Sequence, residues 1–303
     1  MVTLVRAPNP SAMTLSGTNS YLIDCGGGAA LAIDPGPPIE RHVEALLDRA
    51  RSLELTIRAI AVTHGHPDHA PAAPLLAKAT KAPVYAHPAS TVAHDRDFEL
   101  DGDLQIADVT FRVIDAPGHT FDHVAIYLPR AHALFTGDVI LGEGTVVIAP
   151  PGGAMRPYQA TLQRLATEFN EARTIYGGHG PIVNDAQAKI AEYIEHRAMR
   201  ERELLDQLAA GPKTIPELTL AIYGDARPLL QPAMARQMLA HLVALEAEGR
   251  IASEPLDRPM TEREAWMLNP PLERLVGEEQ AAVIAAELGS GMRLERLNCY
   301  RLL

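Results

Sequence analysis

From residue 19 to residue 176 the chain alternates two rhythms. Short runs of mostly apolar residues, bounded by Gly, Pro, Asp or Asn, read as buried strands near 19–24, 30–34, 57–62, 83–86, 109–114, 123–128, 132–136 and 173–176. Between several of them, apolar positions recur every three or four residues and predict helices over 39–52, 68–79, 157–168 and 185–209. Strands interleaved with helices in this way predict an α/β fold, layered so that both faces of the sheets are buried. After Gly211-Pro212 the rhythm changes. A short helix is expected from Ile215 to Tyr223 and a longer one from Pro232 to Gly249, with Met238, Leu242 and Leu245 at helical spacing. Gly249-Arg250-Ile251-Ala252 then turns into a strand. The outline is that of a winged helix, so the pattern divides the chain into a large domain over 1–209 and a smaller winged-helix-like domain over 210–303. The tail from 256 to 303, with Trp266, carries no pattern that assigns elements to it.

Composition narrows the setting. The 303 residues are 47% hydrophobic, enough for a substantial core, yet no stretch is long and apolar enough to span a bilayer. The first ten residues lack the basic, apolar, small-residue order of an export signal, so a cytoplasmic protein with no membrane partner is expected. Cys25 and Cys299 are the only cysteines and neither stands in a ligand motif, which argues against disulfide stapling and thiolate metal sites. A net charge of −11 opposes attraction to phosphate backbones. Around the longer C-terminal helix, Arg236 is outnumbered by Glu246 and Glu248, so duplex DNA is not an expected partner. The sequence leaves room for a homodimer.

Residues 63–69 read Thr-His-Gly-His-Pro-Asp-His and follow the apolar run 57–62 directly. Imidazole and carboxylate suit zinc and its borderline neighbours, and so dense a cluster is costly without a compensating cation. His64 and His66, two apart in an extended backbone, project to the same side and are expected to chelate one ion. Pro67 keeps His66 extended, and Asp68 and His69 are expected on the first turn of the next helix, aimed at a neighbouring ion. Four residues cannot complete two coordination shells. Three later strand exits qualify as further sources: Asp115-Ala116-Pro117-Gly118-His119, Thr136-Gly137-Asp138 and Gly177-Gly178-His179, each with a glycine that permits a sharp turn. In the Pro- and Gly-rich segment 149–158, Arg156 and Tyr158 are candidate contacts for an anionic or aromatic substrate.

Taken in order, His-x-His-x-Asp-His, then His, Asp and His, this chain closely resembles the metallo-β-lactamase superfamily. The resemblance implies a four-layer αββα sandwich with ligands gathered at one edge. It implies that His64, His66 and His119 bind a first metal, that Asp68, His69 and His179 bind a second, and that Asp138 bridges the two. Asp34 matches the early Asp that supports the ligand loop from behind, and Thr63 is expected beside it. The implied cofactor is two divalent ions, zinc first, with manganese or iron as alternatives. Met13 to Leu22, Gly118-His119-Thr120-Phe121-Asp122-His123, 137–145 and Gly178-His179-Gly180-Pro181 are similar to the lactamase-B-like endoribonuclease group, from roughly 9 to 253. Gly65 and 70–73 depart from that group's pattern, at the wall of the substrate pocket.

The activity so implied is that of a dinuclear hydrolase, in which a metal-bridging hydroxide is the nucleophile and Asp68, Asp138 and His123 take catalytic parts. Single-stranded RNA or another phosphodiester is the first expected substrate. A thioester, ester or lactone of small-molecule size is the alternative. A non-catalytic winged-helix regulator is the reading from a different class, and it requires lost ligands.

Overall fold

The computed structural model describes residues 1–225, 230–272, 278–289 and 293–303; residues 226–229, 273–277 and 290–292 of the expected C-terminal domain lie outside the described residues. The chain divides into two units, Met1–Val146 with Arg164–Ile190, and Val147–Gln163 with Ala191–Leu303. The segment 147–163 therefore groups with the C-terminal part, which a single break near 209 does not provide for.

The first unit is built on two sheets. Strands β1 (Val2–Arg6), β2 (Asn19–Asp24), β3 (Ala29–Ile33), β4 (Thr56–Ala61), β5 (Val84–Ala86) and β6 (Arg96–Asp97) form one, in that order. β1 to β3 pair antiparallel and β3 to β6 parallel. The second sheet runs β11-β10-β9-β8-β7, from β7 (Asp103–Ile106), β8 (Val109–Asp115), β9 (Val124–Leu128), β10 (Ala133–Gly137) and β11 (Thr174–Gly177). Alternation decides which side chains meet. Tyr21, Ile23, Leu31, Ile33, Ala59 and Ala61 from the first sheet share one core with Leu104, Phe111, Val113, Ile126 and Phe135 from the second. The opposite face of the first sheet, with Leu22, Ala32, Ile57, Ile60 and Val62, packs on helices α1 (Glu40–Ser52) and α2 (Ala73–Thr80) through Val43, Leu46, Ala50 and Leu76. Each of these large side chains, fully buried, contributes roughly 1.5–3 kcal/mol. Beyond the second sheet, Arg164 of α3 (Met155–Glu168) pairs with Asp101 and donates to the Asp115 carbonyl.

The eight strands expected from the pattern form within a residue or two of their expected bounds, and β1, β6, β7 and two C-terminal strands are additional. One helix start differs. The expected helix over 68–79 begins only at Ala73, and Asp68 and His69 stand in a separate hydrogen-bonded turn ahead of it, closed by Ala70 N–H to His66 O at 3.2 Å. Pro71 disfavours a helical Ala70, and the His69 carbonyl accepts from Gly36 N–H at 2.9 Å instead of an intrahelical donor.

The second unit contains the C-terminal part of α4 (Ala186–Ala209), then β12 (Lys213–Thr214), α5 (Ile215–Tyr223), α6 (Gln231–Ala247), β13 (Ile251–Pro255), α7 (Glu262–Leu268), α8 (Glu278–Glu287) and β14 (Asn298–Leu302). β14 pairs antiparallel with both β12 and β13. Leu204, Leu218, Met238, Leu242, Leu245, Ile251 and Tyr300 form its core. Thr214 opens α5 with a reciprocal cap, its hydroxyl receiving Glu217 N–H while the Glu217 carboxylate receives Thr214 N–H.

Candidate metal centre

Ends of strands from both sheets deliver the candidate ligands, all within the first unit. The loop after β4 carries His64, His66, Asp68 and His69; His119 follows β8, Asp138 follows β10 and His179 follows β11. His64, His66 and His119 bring one ring nitrogen each within 4.8 Å of one another, as do the donor atoms of Asp68, His69 and His179, and those of His64, His69 and Asp138. Asp138 stands between the first two groups: Oδ1 lies 3.4 Å from His69 Nε2, and Oδ2 lies 3.3 Å from His179 Nε2 and 4.0 Å from His119 Nε2.

A chain of hydrogen bonds behind this cluster sets the tautomers. Asp34 accepts from Thr63 N–H through Oδ1 at 2.8 Å and from the Thr63 hydroxyl through Oδ2 at 2.8 Å. Its Oδ2 also lies 3.0 Å from His69 Nδ1, which must donate to it and so leaves a lone pair on Nε2. Thr63 has given its only hydroxyl proton to Asp34, so His64 Nδ1, 3.0 Å from Thr63 Oγ1, is the donor of that pair. The lone pair of His64 is then on Nε2, a buried atom with no hydrogen-bond partner. Asp34 holds this position from a left-handed backbone (φ 48°), a conformation that Asp tolerates better than most side chains.

The ring nitrogens of the other histidines converge on those of His64 and His69. His66 Nδ1 and His119 Nε2 are 3.1 Å apart, and His69 Nε2 and His179 Nε2 are 3.3 Å apart. Nitrogens bound at ~2.0–2.1 Å to one tetrahedral ion stand roughly 3.3 Å apart, so the spacing fits an ion with N/O ligands such as zinc. Buried Asp68 Oδ1 likewise has no hydrogen-bond partner. The residues present therefore fit the divalent metals the sequence implied.

Electrostatics point the same way. Burial disfavours charge on His179, yet Asp138 and Asp68 outweigh it and push its pKa up to about 10. Burial opposes charge on His69 too, and Asp68, Asp138 and Asp34 raise it well above the usual imidazole range. Asp68 is lowered: burial works against its charge, and His69 and His179 more than compensate.

Not every expected residue joins the cluster. His123 is fully buried, its ring stacked on His64 at 4.7 Å, and its Nε2 accepts Asp138 N–H at 3.1 Å. Through that bond His123 braces Asp138. Tyr158 is fully buried with the Arg197 guanidinium 5.2 Å from its ring centroid. Arg156 is bound by Glu201 and Glu248. The second unit thus gives these two side chains packing and ion-pair partners where substrate contacts were expected. Conversely, residues given no individual role secure the last ligand loop. Asn19 Nδ2 donates at 3.0 Å to the carbonyls of Gly177 and Gly180, and Tyr21 Oη donates to Gly177 O at 2.7 Å. The signal available for them was the Thr-Asn-Ser-Tyr string opening a strand.

The sequence matches the model of the Metallo-beta-lactamase superfamily over residues 13–179, the span that contains every ligand of this cluster. The chain belongs to that superfamily. Among its curated members, the Beta-lactamase-like protein 2 homolog of Caenorhabditis elegans is 34% identical over 238 residues, 74% of this chain and 77% of the relative. The Atrochrysone carboxyl ACP thioesterase of Aspergillus chevalieri is 29% identical over 272 residues, 82% of this chain and 85% of the relative. Among solved structures, a metallo-beta-lactamase family protein of Thermus thermophilus superposes with a TM-score of 0.69 at 24% identity, covering 84% of this chain and 95% of that one. This likeness shows the α/β metallo-beta-lactamase fold. Members of the superfamily are metal-dependent hydrolases, and this chain is an enzyme of that kind. No helix among the described residues is long and apolar enough to cross a membrane.

Proposed function

We propose that this chain hydrolyses a thioester or a related small acyl ester at a site of two divalent ions, zinc by preference. The observation that carries the reading is the convergence of seven side chains, among which His64 and His69 have their tautomers fixed by Thr63 and Asp34 so that Nε2 is left to bind. His64, His66 and His119 would hold one ion, and Asp68, His69 and His179 the other, with Asp138 shared. When bound, such a pair supplies Lewis acidity and lowers the pKa of water, which removes the need for a side-chain nucleophile. Asp68 Oδ1 can accept a hydrogen bond from the attacking water and orient it. His123, accepting Asp138 N–H, steadies the residue whose carboxylate the two ions would share.

Two observations favour an acyl substrate: the ACP thioesterase that aligns with 82% of the chain, and a net charge of −11 that repels a polyanion. A phosphodiester, including single-stranded RNA, is the second reading, supported by the motifs shared with the lactamase-B-like endoribonuclease group. We read the C-terminal elements as a winged-helix-like packing module. α6 buries Arg236, which donates to Leu268 O, and so has no use for that cation in gripping a duplex. A vestigial regulator is disfavoured because every ligand position is filled and assembled.

The test is a panel of an acyl thioester, a lactone, a generic phosphodiester and single-stranded RNA, offered to zinc-loaded protein, chelated protein and the Asp138→Ala variant. Thioester turnover that requires metal and Asp138 is expected. Metal-dependent RNA cleavage with no thioester turnover would reverse the order of the two readings.

A further inference from the structure

The hairpin that precedes β2 reaches into the metal cluster. Thr18, fully buried, places Oγ1 3.0 Å from Asp68 Oδ2. Its backbone N–H donates to Asn9 Oδ1 at 2.9 Å, and Asn9 Nδ2 lies 3.0 Å from Thr18 Oγ1. These contacts fix the direction of every proton. Asn9 Oδ1 must be the acceptor for a backbone N–H, so its Nδ2 is the donor to Thr18 Oγ1, and the single hydroxyl proton of Thr18 is left for Asp68. Asn9 is itself held, its carbonyl accepting from Thr14 Oγ1, while Ala7 N–H donates to Thr18 O at 2.8 Å. Thr18 also bridges to His179, and Asn19 N–H donates to Gly178 O at 2.7 Å, so the same strand grips two ligand loops at once.

We propose that Asn9 and Thr18 form a positioning relay that fixes the rotation of the Asp68 carboxylate and so sets the affinity of one metal ion, the one held by Asp68, His69 and His179. The inference rests on the dinuclear reading given above. Neither residue touches the reacting atoms. A carboxylate ligand without a donor behind it turns about its last bond, and loss of a supporting partner of this kind typically weakens metal binding by about 10–100-fold. Asp34 does this for His64 and His69. The relay does it for Asp68 from a different part of the chain.

The experiment measures zinc equivalents per chain and their affinities by chelator competition, for wild type, Thr18→Val, Thr18→Ser and Asn9→Ala, with circular dichroism to check folding. Two equivalents are expected for wild type. In Thr18→Val one equivalent should weaken by about 10–100-fold while the other is unchanged. Thr18→Ser, which keeps the hydroxyl, should restore it, and Asn9→Ala should weaken the same equivalent by less. Wild-type affinity for both ions in Thr18→Val, or equal weakening of both, overturns the proposal. Should Thr18→Val fail to fold, Asn9→Ala decides: unchanged affinities overturn the relay and selective weakening of one equivalent supports it. The wild-type stoichiometry separates the two levels. Fewer than two equivalents overturns the dinuclear reading and the relay with it, whereas two equivalents with insensitive variants overturns the relay alone.

Discussion

Asp34 carries more of the site than its distance from the ligand motif suggests. It satisfies Thr63 N–H, the Thr63 hydroxyl and His69 Nδ1 from a fully buried position. Asp34→Ala strands three buried donors and frees the His64 and His69 tautomers, so we expect a loss of about 3 kcal/mol in urea unfolding and ~10–100-fold in zinc affinity. Unchanged zinc affinity would show that the tautomers are set elsewhere. The raised histidines give a second expectation. A group whose folded pKa is raised stabilises the fold fully below its unfolded value, near 6.5, and that contribution fades as pH rises through the folded value, about 10 for His179. His179 is therefore expected to carry a proton in metal-free protein at about pH 7.5, and zinc binding to expel it. Calorimetry in buffers of different ionisation enthalpy should register proton release, with affinity rising with pH; a buffer-independent enthalpy would refute it. At this scale the ligands were legible because few residue types bind zinc and their spacing is tight. Thr18 and Asn9 were not, since hydroxyls and amides occur everywhere and only their placement in space gives them a task.

Strand ends are the elements that make the cluster. β11 closes on Gly177-Gly178, and a Cβ at Gly178 would collide with Asp138 Oδ1 and stand 2.6 Å from His69 Cε1. Gly178→Ala should therefore abolish binding of at least one ion while leaving the circular dichroism spectrum intact; full zinc occupancy would mean that the loop yields where the packing says it cannot. Elements with a buried face announced themselves in the sequence, β4 and β8 most plainly, because alternation has to match a core on one side. β6, two exposed residues, leaves no such trace. The start of α2 was misplaced for a local reason. Apolar spacing continues through Ala70 and Ala72, but Pro71 and the bond from Gly36 to the His69 carbonyl keep the chain in turns until Ala73. The separate turn that results, closed by Ala70 N–H to His66 O, carries His69 into the cluster.

For the molecule as a whole, metal and fold are linked. An ion bound only by the folded chain adds stability as its free concentration exceeds Kd, about 2.7 kcal/mol at a hundredfold excess. Chelation should thus lower the melting temperature as well as abolish turnover, and zinc should restore both; melting that ignores chelator would separate the cluster from folding stability. The layered architecture was readable from the strand and helix rhythm, but the grouping of 147–163 with the C-terminal unit was not, because nothing in local periodicity records which partner a segment packs on. His64, His66, Asp68 and His69 ride on one sheet, and His119, Asp138 and His179 on the other. A slide of a single ångström between those slabs would stretch the coordination geometry as a hinge pin is stretched when its leaves separate. Core substitutions far from any ligand, at Phe111 or Phe135, can therefore detune the chemistry without touching it.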